Sequence, residues 1–167
     1  HRAQTRRPAD VKFMHYECEL AVVIGRSAKN VKRADAMRLV AGYTVANDVT
    51  ARDLQRADGQ WTRGKSFDTF CPMGPWIVPK EFYGDPMKRL RQTLTVDGKV
   101  MQEAGASDMI HSIYELIEYG SSIITLYPGD VVNNGTSGGT GMGQAYRGAE
   151  RFLKPGEAAI GRHISIG

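Results

Sequence analysis

Cysteine is almost missing: Cys18 and Cys71 are the only two in 167 residues, too few for a disulfide framework or a zinc site. Such scarcity fits a reducing cytoplasm. Long hydrophobic runs are absent as well, so no membrane span is expected. The basic opening carries no apolar segment of the kind that directs secretion. Charge of one sign is in modest excess, with 22 Lys and Arg against 18 Asp and Glu, a formal +4 and a pI near 9.1. That surplus suits a small anionic ligand. Nucleic acid is not expected, because the basic residues are scattered apart from Arg2, Arg6 and Arg7 and no aromatic-and-basic recognition motif accompanies them. At 18.4 kDa the chain reads as a single domain, 1–167, long enough to bury roughly two thirds of its unfolded surface. Opening on His1 and closing on Ile164-Ser165-Ile166-Gly167, it also reads as part of a longer protein.

What is present is organised around the run from Phe13 to Gly25, which reads as one β-strand. Its even positions, Met14, Tyr16, Cys18, Leu20, Val22 and Ile24, are apolar throughout, a period of two that a helix would not produce. Cys18 belongs to that face as a small hydrophobe. The odd face carries His15, Glu17 and Glu19, with the two glutamates about 6.6 Å apart along a strand that rises about 3.3 Å per residue. Side-by-side carboxylates repel unless water, a base or a cation lies between them. The odd face is therefore either simply wet or a place for a divalent cation.

Further along, Val31 to Ala41 reads as a packing helix stopped by Gly42. Tyr43 to Ala46 reads as a short strand ending at Asn47-Asp48, followed by a helical turn capped by Thr50 with Asp53. That turn would put Asp48, Arg52 and Gln55 on one face, as a salt bridge or beside whatever Asp48 binds. Gly59 to Ser66 matches the phosphate-loop spelling, but a polar segment precedes it and Pro72 and Pro75 follow, so nucleotide binding is not expected. Lys65, in that loop, is either a solvated lysine or a functional cation. Trp76 to Val78 reads as a strand, and Leu94 to Met101 as a hairpin turning on Asp97-Gly98. Ser107 or Ser112 would cap a helix carrying Ile113, Leu116, Ile117, Ile123 and Ile124, with Met109 and Ile110 in the core. Asp130 to Val132 leads into the glycine-rich 133–143, a flexible tip or a source of N–H groups and the Thr136 hydroxyl for an oxyanion. Gln144 to Gly148 opens no convincing helix, and Phe152 to Glu157 turns into a last short strand. Many strands, few helices and no repeat give a β-rich α+β fold with peripheral helices.

Taken together, Glu17-Cys18-Glu19-Leu20, the run from Gly42 to Gln55, Gly64-Lys65-Ser66-Phe67-Asp68-Thr69-Phe70, Gly74-Pro75-Trp76-Ile77-Val78, Pro128-Gly129-Asp130 and Gly135-Thr136 resemble the catalytic domain of the fumarylacetoacetate hydrolase family. The likeness covers nearly the whole chain in the family's order. Arg7 to Glu17 looks in particular like the bacterial isomerase/decarboxylase branch that degrades homoprotocatechuate. The resemblance implies a mixed β-sandwich roll, a homodimer, and Mg²⁺ (or Mn²⁺ or Ca²⁺) bound through Glu17, Glu19 and Asp48. It also implies a catalytic Lys65 beside the metal, with Arg52 and Gln55 lining the substrate pocket and Thr136 holding a substrate carbonyl or carboxylate. Three carboxylates suit a hard cation that keeps open positions for substrate oxygens.

Two departures stand out. The family's Thr-Gly-Thr-Pro run is here Asn134-Gly135-Thr136-Ser137. The His-Glu pair that activates water in hydrolytic members belongs to a lid upstream of the metal strand, and it has no equivalent here; His15 is not that residue by motif. The implied activity is metal-dependent lyase, hydrolase or isomerase chemistry on a small 2-oxo acid or β-dicarbonyl substrate through an enolate, as in aromatic catabolism. Decarboxylation and isomerisation need only the enolate; hydrolysis needs an activated water as well. The alternative is a degenerate member that binds a 2-oxo acid without turning it over.

Overall fold

A computed structural model describes residues 3–143 and 151–165. In chain order its elements are β1 (Met14–His15), β2 (Cys18–Ile24), a 3-10 turn (Arg33–Arg38), β3 (Val40–Asn47), β4 (Thr50–Ala51), α1 (Arg52–Asp58), α2 (Thr62–Lys65), β5 (Val78–Pro79), α3 (Pro86–Arg89), β6 (Leu90–Val96), β7 (Lys99–Gly105), α4 (Ile113–Ile123), β8 (Val131–Asn133) and β9 (Ala159–Ser165). Their ladders are all antiparallel. They form a pair β1-β4, a four-stranded sheet β5-β3-β2-β8 and a three-stranded sheet β7-β6-β9. This is the β-rich α+β architecture that the strand patterning implies. Among the described residues no helix is long and apolar enough to cross a membrane.

The even face of the first acidic strand supplies the core, as its period of two requires. Met14 packs with Val11, Val49 and Ala51. Tyr16 and Cys18 meet Leu94 and Val96 of β6, joining the two larger sheets. Leu20, Val22 and Ile24 pack with Tyr43, Leu90, Ile113 and Ile117 beneath α4. Each such side chain contributes about 1.5–3 kcal/mol when fully buried.

The strand is not continuous. β1 pairs with β4 and β2 with β3, so the ladder changes partner at Tyr16-Glu17. There the Asn47 side chain accepts the Glu17 N–H (2.9 Å), and the Glu17 carbonyl accepts the Asp48 N–H (2.9 Å). The change of partner carries Asp48 over the strand beside Glu17.

Several local expectations are revised. The helix expected from Val31 to Ala41 is a short 3-10 turn, because Val40 is drawn into the ladder opposite Ile24. Thr50 is no N-cap; it lies in β4, α1 starts at Arg52 without a side-chain cap, and Asp53 accepts the Lys12 N–H instead (2.8 Å). The strand expected at Trp76 pairs only at Val78–Pro79. Ile110 is 93% exposed, not core, and Ile123 and Ile124 are exposed too. Ser112, not Ser107, caps α4 in a capping box with Glu115. The Asp97-Gly98 turn has both residues at positive φ, as a two-residue hairpin requires. Gln144 to Gly148 lies outside the described residues.

Candidate functional site

Glu17, Glu19 and Asp48 each offer a carboxylate oxygen within 4.8 Å of the others. The two glutamates share the odd face of the acidic strand, and Asp48 arrives through the change of ladder partner. Neither glutamate is wet: Glu17 is 6% and Glu19 3% exposed. Buried carboxylates need partners, and the two find very different ones. Glu17 Oε1 accepts from Arg52 Nη2 (2.6 Å) and His15 Nδ1 (3.0 Å), and Oε2 from Lys65 Nζ (3.1 Å). Among the described residues Glu19 accepts a single N–H, from Gly135 (3.2 Å).

Lys65, at the end of α2, also donates to Asp48 Oδ2 and to Thr50 Oγ1 (3.1 Å), while the Thr50 hydroxyl donates to the Asp48 carbonyl (3.0 Å). From the first turn of α1, Arg52 Nη1 donates to Gln55 Oε1. Asp48, Arg52 and Lys65 thus surround Glu17, and Gln55 holds Arg52.

The titration behaviour follows from these partners. Burial raises the Glu17 carboxyl, but the His15 hydrogen bond and the Lys65 ammonium outweigh it and hold the group below its ordinary range. Asp48 stays raised because burial outweighs Lys65. Lys65 is itself raised: burial works against its charge, but the hydrogen bond to Asp48 and the charge of Glu17 prevail. Glu19 is pushed up to about 7, by burial first and then by the charges of Asp48 and Glu17. Three carboxylates are thus set against two cationic side chains, Lys65 and Arg52, and all donors of the set are oxygen. Such a set fits a hard divalent cation.

A pH dependence follows. The folded Glu19 value lies above its ordinary 4.5, so its contribution to stability is complete below that pH and is lost as pH rises through about 7. Added Mg²⁺ should then stabilise the protein at pH 8 and barely at pH 5. Melting curves with and without the ion at both pH values check this; equal shifts would refute it.

The glycine-rich loop is no flexible tip. Asn134 Oδ1 accepts the Leu20 N–H (2.8 Å), and its own N–H returns to the Leu20 carbonyl (3.1 Å). Where the family run has Thr, Asn134 thus ties the loop to β2. Tyr16 donates to the Gly139 carbonyl (3.0 Å). Gln102 Nε2 donates to Thr136 Oγ1 (2.8 Å) and to the Ser137 carbonyl (2.9 Å). The Thr136 hydroxyl in turn donates to the Cys18 carbonyl (3.3 Å). Thr136 thereby adjoins the carboxylates through Gly135 while its hydroxyl serves the scaffold, beside a cavity of about 490 Å³ shared with Gln92, Met109 and His111.

Gly139 has φ +96°, and a Cβ there would lie 2.0 Å from the Met101 carbonyl oxygen. Gly139→Ala combines strain with overlap and should cost at least about 2 kcal/mol, measurable as a shifted urea midpoint.

Thr50, Gln102 and Asn47 were missed by sequence reasoning. Gln102 had no signal: an unbroken two-residue hairpin would set Met101 opposite Leu94, and the register shift between Leu94 and Thr95 brings Gln102 there instead. Thr50 and Asn47 had none either, since their roles depend on the change of ladder partner.

Comparison with known proteins gives the family. The profile of the fumarylacetoacetate (FAA) hydrolase C-terminal domain matches residues 1–167. The chain belongs to the fumarylacetoacetate hydrolase family. Among family relatives, an uncharacterised protein of Methanocaldococcus jannaschii is 53% identical over 135 residues, 81% of this chain and 55% of that protein. A mitochondrial oxaloacetate tautomerase of Rattus norvegicus is 44% identical over 151 residues, covering 90% of this chain and 47% of the relative. The crystal structure of a 5-carboxymethyl-2-hydroxymuconate delta-isomerase from Mycobacterium smegmatis superposes with a TM-score of 0.84 at 42% identity, over 96% of this chain and 58% of that one. The chain thus spans about half the length of these relatives of the fumarylacetoacetate hydrolase family.

Proposed function

We propose that the chain is the catalytic domain of a divalent-cation-dependent enzyme acting on a small 2-oxo acid or β-dicarbonyl compound through its enolate. Tautomerisation or double-bond isomerisation stands first, with decarboxylation or C–C hydrolysis behind it. The observation that carries this reading is the meeting of two buried carboxylates, Glu17 and Glu19, and the half-buried Asp48 with Lys65 and Arg52 in one place. The rat and M. smegmatis relatives are named as a tautomerase and an isomerase, reactions that move a proton and lose no carbon.

Glu17, Glu19 and Asp48 would hold the cation, which when bound supplies a Lewis acid to the substrate's oxygens. Lys65, held as an ammonium, opposes the negative charge that develops on the enolate oxygen. Arg52 has Nη1 on Gln55 and Nη2 on Glu17, which leaves its Nε a buried donor lacking an acceptor among the described residues. Gln55 and Glu17 fix the plane of the guanidinium, whose charge would draw a substrate carboxylate to this side of the site. Thr136 would turn its hydroxyl from the Cys18 carbonyl toward a substrate oxygen. Neither ammonium Lys65 nor fully hydrogen-bonded His15 offers the substrate a lone pair, so these side chains stabilise charge and orient rather than accept the proton.

Stripping the protein with EDTA should abolish enol–keto conversion of oxaloacetate, and Mg²⁺ or Mn²⁺ should restore it; turnover indifferent to chelation would overturn the reading. The engagement of the Thr136 hydroxyl favours a second reading, a 2-oxo acid binder without turnover. Affinity for oxaloacetate, an acylpyruvate and a muconate-type acid without product from any of them would select it.

A further inference from the structure

His15 neither touches the substrate nor moves a proton in the mechanism above, yet it is 1% exposed and lies between the carboxylates and the far end of the glycine-rich loop. Its Nε2 receives the backbone N–H of Met142 (2.8 Å). A backbone N–H can only donate, so Nε2 accepts, and the neutral ring carries its proton on Nδ1. Nδ1 lies 3.0 Å from Glu17 Oε1 and therefore donates to it. Arg52 Nη2 is 2.8 Å from the same Nδ1; being two donors, both turn to Glu17.

The loop is thus fastened to each glutamate by a different end. At its start Gly135 N–H binds Glu19 directly; at its close Met142 N–H reaches Glu17 through the imidazole. The passage at that end is tight. A Cβ on Gly141 would lie 2.1 Å from the Arg151 carbonyl oxygen and 3.0 Å from His15 Cδ2, and the Gly141 carbonyl accepts the Arg151 N–H (2.8 Å). Only a glycine lets the next N–H come within reach of Nε2.

We infer that His15 is a positioning residue that couples the 135–142 loop to the cation site, presenting Glu17 to the ion only when Met142 is docked. The inference rests on the cation reading proposed above. By linkage, ion binding must then tighten the Met142 hydrogen bond, and loss of that bond must weaken ion binding by the same factor. Outer groups that orient a ligand typically change affinity 10- to 100-fold.

The test uses Mn²⁺ binding by calorimetry and hydrogen exchange at the Met142 amide. In the unaltered protein, Mn²⁺ should slow exchange at Met142. His15→Phe should weaken Mn²⁺ binding at least 10-fold. His15→Asn keeps a donor at the Nδ1 position but has no acceptor for Met142; it should regain part of the affinity and show no Mn²⁺-dependent slowing at that amide. His15→Gln, which keeps an acceptor near Nε2, should restore the slowing. Gly141→Ala should mimic the Phe variant in affinity while leaving His15 in place.

If the Phe variant does not fold, the Asn and Gln variants decide the matter alone. Mn²⁺ affinity within 2-fold of the unaltered protein in all His15 variants would overturn the coupling, as would Met142 protection that persists in His15→Asn. Failure of the unaltered protein to bind Mn²⁺ would overturn the cation reading itself, a separable result.

Discussion

Lys65→Met should cut turnover about 100- to 1,000-fold, the usual cost of removing one preorganised donor from a developing oxyanion, while cation affinity is kept or raised. The sign of the second effect comes from Coulomb's law: taking a positive charge from beside Glu17 and Asp48 leaves more negative potential for an incoming ion. A ligand-type role for Lys65 would weaken both quantities together, so measuring kcat against Mn²⁺ affinity separates the two roles. Turnover within about 5-fold of the unaltered protein would remove Lys65 from the mechanism. Without a divalent ion the variant should also melt early, since two carboxylates lose their counter-ion in a mostly buried place, and Mg²⁺ should recover much of the loss.

Glu17→Gln and Glu19→Gln, two residues apart on the same face, should part company in stability. Both should lose cation binding. Glu17 is the shared acceptor of Arg52, His15 and Lys65. Its neutralisation removes the charge that Arg52 and Lys65 share and turns one of its two acceptor oxygens into an amide donor, and breaking a buried pair this way costs about 3–5 kcal/mol. At about 2–4 °C per kcal/mol for a chain of this size, the melting point should drop by roughly 10 °C. Glu19, by contrast, is pushed up to about 7 and among the described residues accepts only the Gly135 N–H, which a glutamine carbonyl oxygen accepts equally well. The ion-free Glu19→Gln protein should therefore be as stable as its parent near pH 4 and increasingly more stable as pH rises through 6 to 8. Equal melting points for the two variants would show that the division of partners does not govern the site.

Much of this was legible before the structure. The period of two from Met14 to Ile24 placed the core on one face and His15, Glu17 and Glu19 on the other, because alternation is a local property of an extended chain. Asp48, Arg52, Gln55 and Lys65 were legible for a similar reason: they follow closely in sequence and sit at a strand end, one helical turn and one tight loop. Val40 was misread as helix because ladder pairing with Ile24 is a non-local term that overrides local pattern. Ile110 was misread as core because hydrophobicity alone does not fix which way a bend points. Hidden too was the fastening of the glycine-rich loop, since nothing in the spacing of Gly135, Gly139 and Gly141 reveals that Glu19, Tyr16 and His15 receive it.

The separations in sequence have a meaning for biosynthesis. Glu17 receives its cations from Arg52 and Lys65, 35 and 48 positions away, whereas Gly135 and Met142 come to Glu19 and His15 from 116 and 127 positions away. A chain that leaves the ribosome from its N-terminus can neutralise Glu17 while its second half is still being made, because short closures come first. Glu19 has to wait until Gly135, 116 positions further on, has been made before it meets its backbone donor.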